Sequence, residues 1–131
     1  MMGLGTLGWV AAGGAAGASA RYLTTQLMQG WLGRSFPWGT LTVNVLGSFL
    51  IGLAVVWIST LDPETRGAQA RLLLITGLLG GFTTFSAFSL ETLTLAEQGF
   101  VGRAAVNVVA NVFTCLAAVF AGVALARPWS A

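Results

Sequence analysis

Histidine is absent from this chain of 131 residues, and cysteine and charged residues are scarce. With Cys115 as the one cysteine, no disulfide framework can form within the chain, and the usual zinc sites and histidine-based catalytic triads are excluded. Three of the four acidic residues, Asp62, Glu64 and Glu97, lie in short connections between apolar runs. Because no catalytic constellation is apparent, we predict that the protein is not an enzyme.

Charge is too sparse for a soluble surface. Charged residues make up 8% of the chain, whereas soluble domains carry about 25%. The six basic residues are all arginine and are scattered, so nucleic acid is not an expected partner. With 56% hydrophobic residues and a mean hydropathy of +0.83, the composition indicates a membrane protein in contact with lipid. No basic segment precedes the first apolar run, so we expect this run to act as its own insertion signal in the inner membrane.

Four apolar runs are present, and a run of about 20 residues can cross a bilayer as a helix. We predict one transmembrane domain over residues 1–131, with helices at about 4–28, 38–60, 72–95 and 104–126. These runs lack the polar faces that a soluble helical bundle needs. The predicted fold class is therefore all-α and integral to the membrane, with four transmembrane helices.

Arginine is nearly balanced between the two sides of the predicted spans. One side has Arg66, Arg71 and Arg127, and the other side has Arg34 and Arg103. The sixth arginine, Arg21, lies within the first span. The positive-inside rule then gives little preference for either orientation. Two alternatives follow: a small bias fixes one topology, or the chain inserts both ways and pairs with an inverted copy.

Small residues in the first span recur at a spacing of four, in the pairs Gly13 with Gly17 and Gly14 with Ala18. Such a face lets another helix approach closely. Arg21 continues this face, and an arginine facing lipid at a helix centre costs about 2.5–3.5 kcal/mol. We expect it either at an aqueous vestibule, where it would gather anions, or as an anchor that snorkels to the interface.

Polar residues in the second span lie on one helix face, because Thr40, Asn44 and Ser48 are four residues apart. The Asn44 amide can donate to an anion, or it can join two helices. The fourth span has a similar stripe, which we interpret as interhelical packing, with Cys115 as a small apolar filler. Its members are Asn107, Asn111, Thr114 or Cys115, Ala118 and Gly122.

The third span contains "GGFTTFSAFSLE", which starts at Gly80. Glycine and β-branched residues both disfavour a helix, so Gly80-Gly81 followed by Thr83-Thr84 predicts a break. A break frees backbone groups that protein, water or an ion must satisfy. Freed carbonyls suit a hard monovalent cation, whereas the N-terminus of a half-helix suits an anion.

Two parallel rows of side chains follow the predicted break. The aromatic row consists of Phe82, Phe85 and Phe88, and the hydroxyl row consists of Ser86 and Ser89. The positive edges of the rings can contact an anion, and the hydroxyls can donate to it. Alternatively, the rings form core packing and the hydroxyls bond to carbonyls four residues back. Glu91 lies one turn further and is expected at an interior or water-filled position, because a carboxylate facing lipid is costly.

Three stretches, "GGAAGASARY", "GTLTVNVLGSFLIG" and "GGFTTFSAFSLE", resemble in this order the bacterial Fluc fluoride channels, the CrcB-type family. The resemblance covers nearly the whole chain. It implies a fluoride-selective channel that exports fluoride passively across the bacterial inner membrane and protects against its toxicity. It also implies an antiparallel, dual-topology homodimer with two fluoride pathways, one on each side of a central sodium ion.

The resemblance also implies roles for individual residues. Phe85 and Phe88 would contact fluoride through their ring edges, and Asn44 would line the pathway. The backbone carbonyls of Gly80 and Thr83, from both subunits, would hold the structural Na⁺, with no organic cofactor.

Polar residues would accompany the rings, according to the same resemblance. The track would consist of Thr40, Ser86, Ser89 and Glu91, and Arg21 would lie towards a vestibule. Family members often have threonine where this chain has Ala87, so one hydroxyl of the track is absent.

Two other functions are alternatives to a fluoride channel. A proton-coupled efflux transporter of the small multidrug-resistance type also has four helices and often dual topology. That class needs a carboxylate within the first span. In this chain the ionisable side chain deep in the first span is an arginine, Arg21. A non-conducting assembly subunit would use its polar stripes for packing alone.

Overall fold

A computed structural model describes residues 3–130, and every regular element in this range is helical. Helix α1 spans Leu4–Leu32 and α2 spans Trp38–Ile58. The third run is made of α3, a π-helical segment and α4 in direct succession, followed after two extended residues by α5. Helix α3 spans Arg66–Ala70, the π-helical segment spans Arg71–Leu79, α4 spans Gly80–Phe82 and α5 spans Phe85–Glu97. The last helix, α6, spans Val101–Ala126 and is followed by a 3₁₀ turn at Arg127–Trp129. The all-α prediction is confirmed.

Three of the helical runs are long and apolar enough to cross a membrane within the described range: Trp38–Ile58, Arg66–Glu97 and Val101–Trp129. Helix α1 has 29 residues and is therefore roughly 43 Å long. It is less apolar than the other three, because it contains six glycines and Arg21. The architecture is that of an integral membrane protein, with the third run bent by an interruption.

The small-residue face of α1 packs against the π-helical segment. A Cβ atom built on Gly13 would lie 2.2 Å from the carbonyl oxygen of Leu73, and one on Gly17 would lie 2.0 Å from that of Leu78. Backbone is thus in contact with backbone, which only glycine permits at these two positions. The predicted close approach of a second helix to this face is confirmed.

Helices α2 and α6 meet through a second pair of glycines. A Cβ atom on Gly52 would lie 2.5 Å from the carbonyl oxygen of Val119, and one on Gly122 would lie 2.2 Å from that of Phe49. Gly122 belongs to the polar and small stripe of the fourth span, so the packing interpretation is confirmed for this member of the stripe. Gly122 is also buried.

One end of the bundle is joined by Arg103. Its Nη1 donates to the backbone oxygen of Ser35 at 3.4 Å, and its guanidinium lies 4.5 Å from the centroid of the Phe100 ring. The connection between α1 and α2 therefore lies at the same end as the connection between α5 and α6. This agrees with the sequence-based grouping of Arg34 and Arg103 on one side.

The predicted break in the third span is present and lies at Thr83-Thr84. Thr83 (φ −86°, ψ 159°) and Thr84 (φ −153°, ψ 123°) are both extended, whereas Gly80 is helical and Gly81 lies within α4. The sequence placed the start of the break at the two glycines, which is wrong by about one turn. Gly81 serves a close approach instead, since a Cβ atom there would lie 2.8 Å from the carbonyl oxygen of Gly14.

Candidate functional site

A groove of about 430 Å³ lies between α2, α6 and the break. Helices α2 and α6 supply its walls, and the extended pair with the first turn of α5 supplies its floor. Ten residues carry a predicted role, and half of them line this one groove: Asn44, Gly80, Thr83, Phe85 and Phe88. The fold therefore brings Asn44 of α2 to four residues of the interrupted third run.

The rings of Phe85 and Phe88 form a pair in this groove. Their centroids are 5.2 Å apart and their planes are tilted by 58°. Phe88 is buried, with 8% of its surface exposed, whereas Phe85 is 77% exposed. Phe82, the first of the phenylalanine row, is buried and does not line the groove, so the core-packing alternative holds for that ring.

Asn44 holds the break from α2. Its Oδ1 accepts from the backbone N–H of Thr84 at 2.8 Å, and its Nδ2 donates to the backbone oxygen of Thr84 at 3.0 Å. The other Nδ2 proton goes to Asn111 Oδ1 at 3.0 Å. Both N–H groups of the amide are committed to protein acceptors, so the helix-joining alternative describes this geometry.

The hydrogen bonds continue from Asn44 into α6 and back to α5. Asn111 Nδ2 donates to Asn107 Oδ1 at 3.0 Å and to the backbone oxygen of Asn107 at 2.9 Å. Asn107 Nδ2 donates to Thr92 Oγ1 at 2.9 Å, and the Thr92 hydroxyl donates to the backbone oxygen of Phe88 at 2.7 Å. We name this chain of side chains the amide relay; its members are Asn44, Asn111, Asn107 and Thr92.

The fourth-span residues of the groove were not assigned a site from the sequence. Asn111 and Cys115 both line it, together with the apolar side chains of Val112 and Leu116. The polar stripe of the fourth span was visible in the sequence. Its relation to Asn44 was not, because that depends on how α2 and α6 are rotated about their axes.

The break leaves carbonyl oxygens that normal helical hydrogen bonds would have used. The Leu79 oxygen accepts from both the N–H and the hydroxyl of Thr83, at 3.0 and 2.9 Å. For the oxygens of Gly80 and Thr83, no hydrogen-bond donor is found among residues 3–130. These two carbonyls are the ones for which the resemblance implied a cation, and both residues line the groove.

Arg21 holds the break from α1. Its Nε donates to the backbone oxygen of Gly81 at 3.1 Å, and the side chain is half-buried. The sequence offered a vestibule position or a snorkelling anchor. The contact shows a further role, in which the guanidinium satisfies a carbonyl that the end of α4 leaves free.

Thr40 and Glu91 meet outside the groove. The Thr40 hydroxyl donates to Glu91 Oε1 at 2.8 Å, and Thr40 is buried. Glu91 Oε2 is buried and has no hydrogen-bond partner within the described part of the chain. The interior position expected for this carboxylate is confirmed.

The two serines of the predicted track lie exposed on α5. Ser89 donates to the Phe85 backbone oxygen at 2.9 Å, and Ser86 Oγ lies 3.3 Å from Thr84 Oγ1. Thr84 Oγ1 also accepts from the backbone N–H of Ala87 at 3.1 Å, so Thr84 is the N-cap of α5. The bond to the carbonyl four residues back was one of the two alternatives for such hydroxyls, and it holds for Ser89.

A family model described as "CrcB-like protein, Camphor Resistance (CrcB)" matches residues 8–123, which is most of the chain and includes the whole groove. The chain belongs to the CrcB family. The resemblance stated from the sequence motifs is thereby confirmed, and this CrcB-family chain is a multi-pass membrane protein.

Several curated relatives carry the name fluoride-specific ion channel FluC. The one from Methylococcus capsulatus is 51% identical over 118 residues, which cover 90% of this chain and 51% of that relative. The one from Magnetococcus marinus is 46% identical over 121 residues, covering 92% of this chain and 97% of the relative. The one from Agrobacterium fabrum is 48% identical over 118 residues, covering 90% and 93%. This chain spans about half the length of the first relative and nearly the whole of the other two.

Proposed function

We propose that this protein is a fluoride-selective ion channel that lets F⁻ leave the cell passively across the bacterial inner membrane and so protects against fluoride toxicity. The observation that carries the proposal is the groove at the break, which gathers Phe85, Phe88 and Asn44. Relatives named fluoride-specific ion channel FluC support the same function. The proposal assigns transport to the chain and no catalysis.

The ring pair suits a small, strongly hydrated anion. A pore must replace the water shell of F⁻ with groups that are already in place. Ring edges carry partial positive charge, and in a wall of low dielectric such fixed dipoles act more strongly than in water. Phe88 is held by burial and Phe85 faces outward, so one ring is fixed while the other is open to an ion in the groove.

Hydroxyl and carboxylate groups would continue the pathway beyond the rings. Ser86 and Ser89 lie exposed on α5 beside the ring pair, and Glu91 lies further along the same helix, where it accepts from Thr40 of α2. The Ser89 hydroxyl must leave the Phe85 oxygen in order to donate to fluoride. Arg21 places a positive charge beside the break and would attract anions towards it.

The working channel would be an antiparallel, dual-topology homodimer. The exposed ring of Phe85 and the exposed Gly80 are open on the side of the groove, which supports a second copy there. The near balance of arginines supports insertion in both orientations. Two inverted copies would bring their breaks together and give two equivalent pathways.

The carbonyl oxygens of Gly80 and Thr83 fit the implied sodium ion. They are neutral, hard oxygen ligands, and neither accepts a hydrogen bond within residues 3–130. Two carbonyls from each copy would surround an ion on the dimer axis. A bound cation there would supply positive charge at the dimer centre and hold the two breaks against each other.

The alternative of a small multidrug-resistance-type transporter is not supported. Helix α1 contains no carboxylate, which that mechanism requires in its first span, and Arg21 is engaged by the Gly81 carbonyl. Family membership and the names of the relatives also favour a channel.

The test is ion flux from proteoliposomes that contain the purified protein alone. We expect fast fluoride efflux with little chloride efflux, and none of either from empty liposomes. Equal rates for the two anions would refute fluoride selectivity. Absence of fluoride flux would refute the channel and would favour a non-conducting assembly subunit.

Dual topology is tested separately with a single introduced cysteine. In a Cys115→Ala background, Ser35→Cys places a thiol in the exposed connection between α1 and α2. A membrane-impermeant thiol reagent should label about half of the protein in sealed inner-membrane vesicles, if the two orientations occur equally. Labelling of all or none of the chains would show a single orientation and refute the inverted pair.

A further inference from the structure

The amide relay begins and ends on one short segment, residues 84–88. It starts at the N–H of Thr84 in the break and ends at the backbone oxygen of Phe88, four residues later. This segment carries both rings of the groove. Side chains from α2 and α6 therefore close a ring of hydrogen bonds around the part of the chain that presents Phe85 and Phe88.

Each member of the relay donates to the next one, from Asn44 through Asn111 and Asn107 to Thr92. The N–H of Thr84 can only donate and its carbonyl can only accept, which fixes the orientation of the Asn44 amide. Asn44 then presents an N–H to Asn111, so Asn111 must turn its oxygen towards Asn44 and its NH₂ towards Asn107. Neither Asn111 nor Asn107 can reverse its amide without losing a bond on both sides, so the orientation of each amide depends on its neighbours.

Burial removes water as a substitute partner. Asn107 is 0% exposed, and Asn111, which also lines the groove, is 5% exposed. Asn107 and Thr92 do not line the groove, so they can influence an ion there only through the residues they hold.

We propose that Asn107, Asn111 and Thr92 are positioning residues of the ion pathway. They hold the Asn44 amide in the orientation that grips Thr84, and they hold Phe88 through its backbone oxygen. The extended pair and the ring pair then keep one geometry. This role rests on the proposed channel function, since positioning matters only if an ion passes the segment.

The test uses Thr92, which joins Asn107 to the backbone oxygen of Phe88 and does not itself line the groove. Thr92→Val keeps the shape and removes the hydroxyl, leaving Asn107 without its acceptor, whereas Thr92→Ser keeps the hydroxyl. Since an unsatisfied buried donor is costly, we expect Thr92→Val to lower the single-channel fluoride current about tenfold and to lower the fluoride/chloride ratio. Thr92→Ser should restore both.

Thr94→Val is the matched control. Thr94 is exposed on the same helix and donates to the Leu90 backbone oxygen, outside the relay. Its replacement should leave current and selectivity unchanged. Because single-channel current is measured on folded channels, a variant that merely folds poorly gives fewer channels with normal current.

Hydrogen exchange gives a readout that does not depend on ions. In the wild type the Thr84 N–H is bonded to Asn44, so peptides covering residues 83–92 should exchange slowly. Thr92→Val and Asn107→Ala should both speed this exchange, and Thr94→Val should not. Normal current, selectivity and exchange in both relay variants would overturn the proposal. If the wild type carries no fluoride, the channel function fails, while the exchange experiment still decides whether the relay holds the break.

Discussion

Replacing Gly17 with alanine tests how closely α1 must approach the third run. The new Cβ would lie 2.0 Å from the Leu78 carbonyl oxygen and 2.9 Å from the Phe82 backbone nitrogen, well inside the 3.4 Å at which ordinary contact begins. Both neighbours are backbone atoms, so no side-chain rotation can relieve the clash. Helix α1 would have to move away from the π-helical segment and from α4.

The expected cost is that of overpacking a close contact, about 1–3 kcal/mol in the free energy of unfolding. Alanine itself favours a helix over glycine by up to about 1 kcal/mol, which offsets part of this loss. Gly14→Ala is the matched control on the same helix. A Cβ atom at Gly14 meets nothing within 4 Å, so this variant should be as stable as the wild type or more stable.

The displacement should also reach the ion site. Arg21 lies one turn beyond Gly17 on the same face and donates to the Gly81 oxygen, so moving α1 lengthens that hydrogen bond. We expect Gly17→Ala to lower the midpoint of thermal unfolding, followed by tryptophan fluorescence in detergent, and to reduce fluoride flux in liposomes. Equal stability of Gly17→Ala and Gly14→Ala would refute the packing argument.

Three further predictions test the site itself. Thr84→Ala removes the N-cap of α5 and should lower the free energy of unfolding by about 1 kcal/mol, whereas Thr84→Ser should not; thermal unfolding distinguishes them. Phe85→Ile and Phe88→Ile should both reduce fluoride flux strongly. Only Phe88→Ile should also lower the midpoint of thermal unfolding, because Phe88 is buried and Phe85 is exposed. Normal fluoride flux in both variants would exclude the ring pair from the pathway. Thr40→Val leaves both oxygens of the Glu91 carboxylate without a donor among residues 3–130, so it should reduce fluoride flux. Thr40→Ser keeps the hydroxyl and should restore the flux. A normal flux in Thr40→Val would remove Thr40 and Glu91 from the proposed track.

The helical spans follow from the sequence because apolar length is a local property. The start of α2 at Trp38 and the end of α6 at Ala126 coincide with the predicted bounds. The third run starts at Arg66, six residues before the predicted 72, because Arg71 was taken as a boundary although it lies within the helical run. The π-helical segment was not foreseen, since nothing in "RLLLITGLL" distinguishes it locally from an α-helix.

The predicted break begins at Gly80-Gly81 and includes Thr83-Thr84, whereas only the two threonines are extended. The helical cost of Gly80 and Gly81 is about 1 kcal/mol each, and the close contact of Gly81 with α1 can outweigh that amount. At Thr83-Thr84 the extended backbone is satisfied by Asn44, so the side chain of another helix decides where the helix stops. Such a decision cannot be read from the third span alone.

The site was predicted in part for a similar reason. Motif resemblance identified Phe85, Phe88 and Asn44, and all three line one groove. It assigned no role to Asn107, Asn111 or Thr92, because the amide relay depends on the relative rotation of three helices. The stripe in α6 was visible as a pattern, but its partners were not.

The order of residues along the chain has a consequence for biosynthesis. Arg21 and Asn44, which satisfy the Gly81 and Thr84 backbone groups, both precede the third span, and the members of the relay from α6 follow it. When the interrupted span leaves the ribosome, its polar gap can pair at once with helices that are already made. A span that would insert poorly by itself can thus enter the bilayer beside its earlier neighbours, before the last helix has been synthesised.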